Sequence, residues 1–156
     1  MEVFESHVTE RAEWALPIDS KKFEELWKLA DLGAPAGDRW TPFEVEIMRK
    51  QGGRAFKESD CPSIGSGFLV LRPAAVEVFS PFLGGDAELL DLHCADADLK
   101  LLNVWRHLDA LNLSNSDVVR FPSSGRIMRV KSYAFDDAAI EGHDMFRLSA
   151  MPRAAS

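Results

Sequence analysis

The sequence predicts an α+β fold in which a mainly antiparallel sheet carries two or three packed helices. Three observations support this prediction: short apolar runs with strand-like alternation, turn-forming residues between consecutive runs, and only a few segments with helical spacing. Consecutive strands joined by short turns favour antiparallel pairing over a doubly wound parallel sheet. A length of 156 residues fits one domain, so we expect a single domain over residues 1–156.

The composition is typical of a folded chain with an acidic surface. Apolar residues make up 46% and charged residues 28%, which supplies a core and gives no indication of disorder. The formal net charge of −7 argues against general nucleic-acid binding and favours a basic partner. Cys61 and Cys94 are too few for a disulfide framework, and no apolar run approaches the roughly 20 residues that span a bilayer. We therefore expect a cytoplasmic protein without membrane association.

A helix and a half-buried strand are predicted in the first third of the chain. Residues 19–30 begin with two good capping residues and repeat apolar residues at helical spacing, which predicts an amphipathic helix. Its apolar positions are Phe23, Leu26, Trp27 and Ala30. Glycines and prolines interrupt residues 33–42. Residues 43–47 then alternate between apolar and acidic side chains, which predicts a strand that runs into a turn at residues 51–53.

The middle of the chain predicts a central strand, a helix and a hairpin. Residues 68–71 are wholly apolar, and Pro73 directly after them suits the first turn of a helix. Residues 65–67, Gly-Ser-Gly, are predicted to form a tight turn before this strand. Residues 89–93 and 99–104 flank a turn-like acidic segment, which predicts a hairpin.

The last third of the chain predicts a second hairpin. Its strands are residues 118–121 and 127–135, joined by a Pro-Ser-Ser-Gly turn. A short helix capped by Asp136 is predicted over residues 136–142, and a last short strand over residues 144–148.

The sequence contains no recognisable catalytic, metal-binding or phosphate-binding motif. HExxH, GxSxG, CxxC and a phosphate loop are all absent, and no histidine has a companion Cys or Ser motif. The histidines, which we expect to be structural, are His7, His93, His107 and His143. We therefore expect no enzyme activity, no cofactor and no metal.

The one basic cluster lies in the second hairpin and leaves two alternatives open. Its members are Arg120, Arg126, Arg129 and Lys131. Alternation places Arg129 and Lys131 on the same strand face, which is expected to be solvated. One alternative is a small enzyme or ligand-binding domain with a site near residues 120–131, and the other is a regulatory nucleic-acid binder that uses the same hairpin.

The second hairpin also carries a family resemblance. Residues 120–135 read RFPSSGRIMRVKSYAF, and HDMFRL follows at residues 143–148. This stretch resembles the signature of the bacterial immunity protein 11 family, a hairpin rich in F…GRIM…K…F followed by DIF-L. The resemblance extends over roughly residues 33–148. The motif positions are Trp40, Pro42, Phe121, Gly125, Arg126, Ile127, Met128, Phe135, Asp144 and Phe146.

The resemblance implies a non-catalytic protein that binds and neutralises a cognate toxin of a polymorphic toxin system. The motif residues themselves look structural. Gly125 suits a turn with positive φ, and Trp40 with Pro42 suits a fixed entry into a strand. The aromatic and aliphatic motif positions that suit a core are Phe121, Ile127, Phe135 and Phe146.

Partner contacts are therefore expected on surface residues outside the motif. The candidates are Asp91, Asp96 and Asp98 in the acidic turn, and Glu24 and Glu25 on the first helix. The aspartates lack the glycine and the distal glutamate of a calcium loop, so a solvated turn is the simpler interpretation. Family members usually continue past the last motif into a strand and an amphipathic helix, which leaves open whether this domain lacks them.

Overall fold

A computed structural model describes residues 1–153 and places a six-stranded sheet at the centre of the molecule. In chain order the strands are β1 Trp14–Pro17, β2 Val45–Met48, β3 Lys50–Gln51, β4 Arg54–Ala55, β5 Ser63–Gly65, β6 Phe68–Leu71, β7 Ala87–Asp91, β8 Lys100–Val104, β9 His107–Leu108, β10 Asp117–Arg120, β11 Ile127–Ser132 and β12 Arg147–Leu148. The helices are α1 Lys22–Leu32, α2 Pro73–Phe79 and α3 Asp137–Ile140, with 3-10 turns at Gly37–Arg39 and Ser80–Phe82.

The central sheet is mixed, which corrects the prediction of a mainly antiparallel sheet. Its strand order is β2-β1-β5-β6-β8-β7. All its neighbours pair antiparallel except β1 and β5, which run parallel and meet at Trp14 and Ser63. The parallel pair arises because β1, a strand that the sequence did not predict, inserts between β2 and β5. The predicted combination of strands with a few helices is otherwise observed.

Both faces of the sheet are covered by helices. Side chains that are adjacent on a strand point to opposite faces, so β8 contributes Leu101 to one face and Leu102 to the other. Leu101 packs in the cluster that contains Leu26 of α1, whereas Leu102 packs in the cluster that contains Ala75 of α2. Both leucines are almost completely buried, which makes β8 the centre of the core.

The sheet curls until the residues at the start of β2, one edge strand, meet the residues after β7, the other edge strand. The Val45 backbone N–H donates to the His93 carbonyl at 2.8 Å, and the His93 N–H donates to the Phe43 carbonyl at 3.0 Å. We call this pair of segments, residues 43–45 and residue 93, the seam. Alternation holds across it: Phe43 and Val45 are buried, and Glu44 is exposed.

The α1 helix differs from its prediction at one apolar position. Leu26, Leu29 and Ala30 are buried, but Trp27 is 44% exposed, so its predicted place on the buried face is wrong. The Arg153 guanidinium lies 5.9 Å from the Trp27 ring centroid and covers part of it. Leu29 fills the core position instead, because it lies three residues from Leu26 on the same side of the helix.

The predicted elements of the middle region are observed. The wholly apolar run forms β6 between β5 and β8, and α2 begins at Pro73. β7 and β8 form the predicted hairpin with Leu90 opposite Leu101. Residues 65–67 form the turn between β5 and β6, where Ser66 has a φ of 57°.

The residues after β8 form a smaller layer with its own apolar cluster. β10 and β11 form an antiparallel ribbon, and β12 pairs parallel with β9. The buried members of the cluster are Ala110, Leu111, Ile140 and Leu148. Two predicted strands are shorter than expected: β11 ends at Ser132, and β12 covers two residues. The predicted cap of α3 is confirmed, since Asp136 Oδ1 accepts from the Ala138 N–H at 3.1 Å.

No helix within residues 1–153 combines the length and the apolar character needed to cross a membrane.

Candidate functional site

The β10–β11 hairpin, residues 117–132, is held by an antiparallel ladder with two register shifts and by a defined turn at its tip. Val118 lies opposite Val130, and Arg120 lies opposite Ile127. At the tip, the Gly125 N–H donates to the Phe121 carbonyl at 2.9 Å. Gly125 has a φ of 70°, which confirms the predicted positive φ of the turn.

Two apolar motif side chains of this hairpin face solvent. Phe121 is 45% exposed and Met128 is 43% exposed, so the prediction that Phe121 belongs to a core is wrong. The reason is that Phe121 follows the last residue of β10 and belongs to the turn, which is exposed throughout residues 121–126. Ile127 turns the other way and packs beside the C-terminal cluster, as predicted.

The four cations of the hairpin are all exposed. Within residues 1–153, none of them has a carboxylate oxygen within 4.0 Å. Arg120 Nη1 donates to the Gly125 carbonyl at 2.8 Å, which supports the turn and leaves the charge uncompensated. Arg126, Arg129 and Lys131 extend the positive surface along β11, as the predicted solvated face requires.

The remaining motif residues support the fold. Phe135 lies 6.1 Å from Phe146 in an edge-to-face arrangement beside the C-terminal cluster. Trp40 Nε1 donates to the Asp91 carbonyl at 2.8 Å, so it fixes the entry into β2 against β7. Pro42 is half-buried just before β2. The Asp144 side chain is exposed, but its backbone N–H donates to Asp86 Oδ2 at 3.3 Å.

Asp86 is a structural hub that the sequence analysis missed. Its carboxylate accepts from Arg106 Nε at 2.9 Å and from His143 Nδ1 at 2.8 Å. Burial raises the pKa of Asp86, but the hydrogen bonds from Arg106 and His143 outweigh it and hold the pKa below its ordinary value. Asp86 thereby joins the C-terminal layer to the sheet. Nothing in the local sequence indicates partners so distant along the chain.

The predicted acidic contact residues lie in two separate groups. Asp91, Asp96 and Asp98 lie at the end of β7 and in the turn before β8, whereas Glu24 and Glu25 lie on the first turn of α1. No hydrogen bond or ion pair within residues 1–153 joins the two groups.

Four of these five acids form ion pairs within the chain. In the turn, Asp91 pairs with Lys100, and Asp96 Oδ2 lies 3.4 Å from Arg49 Nη1. The Lys100 ammonium holds the pKa of Asp91 below its usual range. On the helix the pairs are Glu24 with Lys28 at 3.1 Å and Glu25 with Lys22 at 2.8 Å. Their negative charge is therefore partly neutralised locally, unlike the positive charge of the hairpin.

The histidines have separate environments. His107 Nε2 lies 2.8 Å from the Ala30 carbonyl and ties β9 to α1, and His143 binds Asp86. His93 is an exposed residue of the seam, and His7 Nε2 lies 3.3 Å from a Glu5 oxygen. In the described part of the chain, no three His, Cys, Asp or Glu side chains form a group that could hold a metal ion.

No protein-family model matches this chain, and no curated protein matches it.

Proposed function

We propose that this protein binds and neutralises a cognate bacterial toxin without catalysing a reaction, and that the β10–β11 hairpin is its main contact surface. The observation that carries the proposal is the exposure of Phe121 and Met128 among cations that have no carboxylate partner within residues 1–153. The same hairpin carries the segment that resembles the immunity protein 11 family, which supports the choice of partner.

The side chains of the hairpin suit a protein interface. Aromatic residues, methionine and arginine are enriched where proteins bind each other, and a few such residues supply most of the binding energy. Phe121 and Met128 supply apolar area that is already exposed, so no core side chain has to move. The uncompensated cations would attract an acidic region of the toxin and accelerate association. We expect the two proteins to meet in the cytoplasm.

The acidic residues form a competing contact surface for a basic toxin. Asp98 has no ion pair within residues 1–153, and the paired acids could exchange their partners at little cost because exposed ion pairs contribute only about 0–1 kcal/mol. Glu44 of the seam and Glu46 of β2 are also exposed. We favour the hairpin because its exposed apolar side chains lie among cations without a carboxylate partner within residues 1–153, whereas the charges near the exposed Trp27 of α1 are paired with one another.

The experiment is co-expression of this chain with the product of the adjacent gene, with host survival and co-purification as readouts. Phe121→Ser with Met128→Ser should abolish both rescue and co-purification, because the apolar contact is lost. Arg129→Glu with Lys131→Glu should slow association and weaken its salt dependence in a binding assay.

The matched control is charge reversal on the acidic turn, Asp96→Lys with Asp98→Lys. We expect this variant to protect the host as the wild type does. Loss of protection in this control alone would move the contact to the acidic surface. An adjacent gene product that is harmless, or that kills equally with and without this chain, would refute the toxin proposal. Steeply salt-dependent binding of DNA or RNA by the hairpin would favour the nucleic-acid alternative.

A further inference from the structure

The turn between β10 and β11 has a defined backbone although all of its residues are exposed. We call residues 121–126 the hairpin turn. The Phe121 N–H donates to the Arg126 carbonyl at 2.9 Å, and the Gly125 N–H donates to the Phe121 carbonyl at 2.9 Å. The Arg126 N–H also donates to Ser124 Oγ at 3.3 Å. The hairpin turn is therefore organised by hydrogen bonds between its own residues.

Two further features restrict the same backbone. Arg120, the last residue of β10, donates from Nη1 to the Gly125 carbonyl at 2.8 Å. Pro122 has a φ that its ring fixes near −65°. A loop that is ordered before it binds loses less conformational entropy on binding than a flexible loop with the same side chains. Because none of its residues is buried, this order adds little to the core and suits an element that binds a partner.

The hairpin turn presents an apolar group beside cations. Phe121 is 45% exposed, and Arg120 and Arg126 are exposed as well. Arg153 lowers the pKa of Asp31 through a hydrogen bond, and the charge of Arg126 adds a smaller effect. Asp31 is thus already paired, and no carboxylate oxygen within residues 1–153 lies within 4.0 Å of Arg126.

We propose that the hairpin turn inserts into an acidic cleft of the toxin and blocks it. This inference rests on the proposed function, because it specifies how the hairpin meets the toxin. A turn whose consecutive residues are all exposed can be surrounded by a concave surface, and enzymes bind their substrates in such clefts. Carboxylates of the cleft would pair with Arg126, while an apolar wall would contact Phe121.

A second copy of this chain does not offer such a cleft. The two best-formed cavities within residues 1–153 have volumes of about 70 Å³ and about 20 Å³, and no aspartate or glutamate lines either of them. The exposed cations of two hairpins would also repel each other. The partner is therefore a different protein with an acidic concave site.

The test uses the ¹⁵N-labelled full chain in complex with the product of the adjacent gene. A soluble gadolinium chelate broadens the signals of amides that water reaches. We expect the amides of residues 123–126 to be broadened in the free chain and protected in the complex, whereas those of residues 113–115 stay broadened in both. Turn amides that stay broadened in the complex would overturn the insertion and leave the proposed function standing. Failure to form any complex would refute the proposed function, and this inference with it.

A pair of bulky substitutions tests the insertion by size. Ser123→Trp adds a side chain for which a cleft around the turn has no room, so it should abolish binding to the adjacent gene product. Ser114→Trp, in the exposed turn before β10, is the matched control and should bind as the wild type does. Melting temperatures confirm that both variants fold. Unchanged affinity of Ser123→Trp would contradict insertion.

Two alanine variants test the order of the turn. Ser124→Ala removes the acceptor of the Arg126 N–H and should weaken binding roughly fivefold, the equivalent of one net hydrogen bond. Ser123→Ala is the control, because the Ser123 hydroxyl makes no hydrogen bond within residues 1–153. Equal affinities of the two variants would contradict a role of this order in binding.

A charge reversal tests the acidity of the cleft. Arg126→Glu should slow association with the adjacent gene product, because it places a carboxylate where the cleft is negative. Faster association of this variant would mean that the cleft is basic, and would overturn the choice of an acidic partner.

Discussion

The central sheet and the β10–β11 hairpin differ in how deeply their residues are buried. On β6 and β8, Val70, Leu71 and Leu101 are fully buried, and helices cover both faces of the sheet. On the hairpin, none of the residues of β10 and β11 is fully buried, and the turn between them is exposed throughout. Since burial of apolar area is the main source of folding free energy, the sheet carries the stability of the domain.

This difference separates the region that stabilises the fold from the region that we propose as a contact surface. A two-stranded ribbon is marginally stable on its own and depends on what it packs against. Here the inner side of the ribbon, with Val118 and Val130, rests on the C-terminal cluster, while Phe121 and Met128 remain exposed. The outer residues of the hairpin can therefore change with little effect on folding, which suits the contact surface proposed above.

The largest effect is expected from a substitution at the centre of the sheet. Leu101→Ala should lower the free energy of unfolding by about 2–5 kcal/mol, because a fully buried leucine leaves a cavity. Urea unfolding measures the change. The matched control is Leu113→Ala, at a leucine that is 49% exposed, which should cost no more than about 0.5 kcal/mol. Similar losses for the two variants would mean that the core does not lie where β8 crosses it.

A smaller effect is expected where the sheet meets the C-terminal layer. Asp86→Asn removes the negative charge that accepts hydrogen bonds from Arg106 and His143. It should lower the free energy of unfolding by about 1.5–3 kcal/mol at neutral pH. Asp109→Asn, at an exposed aspartate, is the control and should be close to neutral. A change in Asp86→Asn no larger than in this control would show that the two layers do not depend on the carboxylate.

The pH dependence of the same variant follows from the lowered pKa of Asp86. A carboxyl group with a lowered pKa stabilises the folded state fully above its unfolded pKa, near 4, and the stabilisation disappears as pH falls through the lower folded pKa. The difference in the free energy of unfolding between the wild type and Asp86→Asn should therefore be largest at neutral pH and should disappear in acid. A difference in the free energy of unfolding that stays constant down to the pH of acid unfolding would contradict the lowered pKa of Asp86.

The smallest expected effect is confined to the hairpin. Gly125→Ala places a side chain at a φ of 70°, with no atom within 4 Å of the new Cβ. Backbone strain alone should therefore lower the free energy of unfolding by about 1 kcal/mol. Gly85→Ala is the control, because Gly85 does not have a positive φ and its nearest contact is at 4.0 Å. Hydrogen exchange should accelerate in residues 117–132 and not in the sheet. Acceleration throughout the chain would show that the hairpin and the sheet unfold as one unit.

The elements that the sequence predicted are those whose signal is local. The apolar run of β6, the helix start at Pro73 and the β7–β8 hairpin depend on periodicity and turn residues, and the structure contains all three. The positive φ of Gly125 has the same origin, since a turn between two strands often needs it.

The parts that the sequence did not predict depend on distant pairing. β1 is a four-residue strand that pairs with segments far along the chain, so its own residues give little sign of it. The buried carboxylate of Glu13 next to β1 accepts from Arg72 Nη2 at 2.6 Å, across 59 positions of the chain. In the candidate site, the charges of the hairpin were predictable from composition, but the exposure of Phe121 was not, because alternation does not hold in a turn.

The seam sets the order in which this domain can assemble. Hairpins such as β7–β8 join neighbouring segments and can form early, since little chain has to be closed into a loop. The hydrogen bonds that join His93 to Phe43 and Val45 connect segments separated by five strands, β3 to β7, and by helix α2, so they form only after those elements have collapsed. We therefore expect the slow step of folding to be the closure of a long loop, and the rate of folding to be set by topology more than by stability.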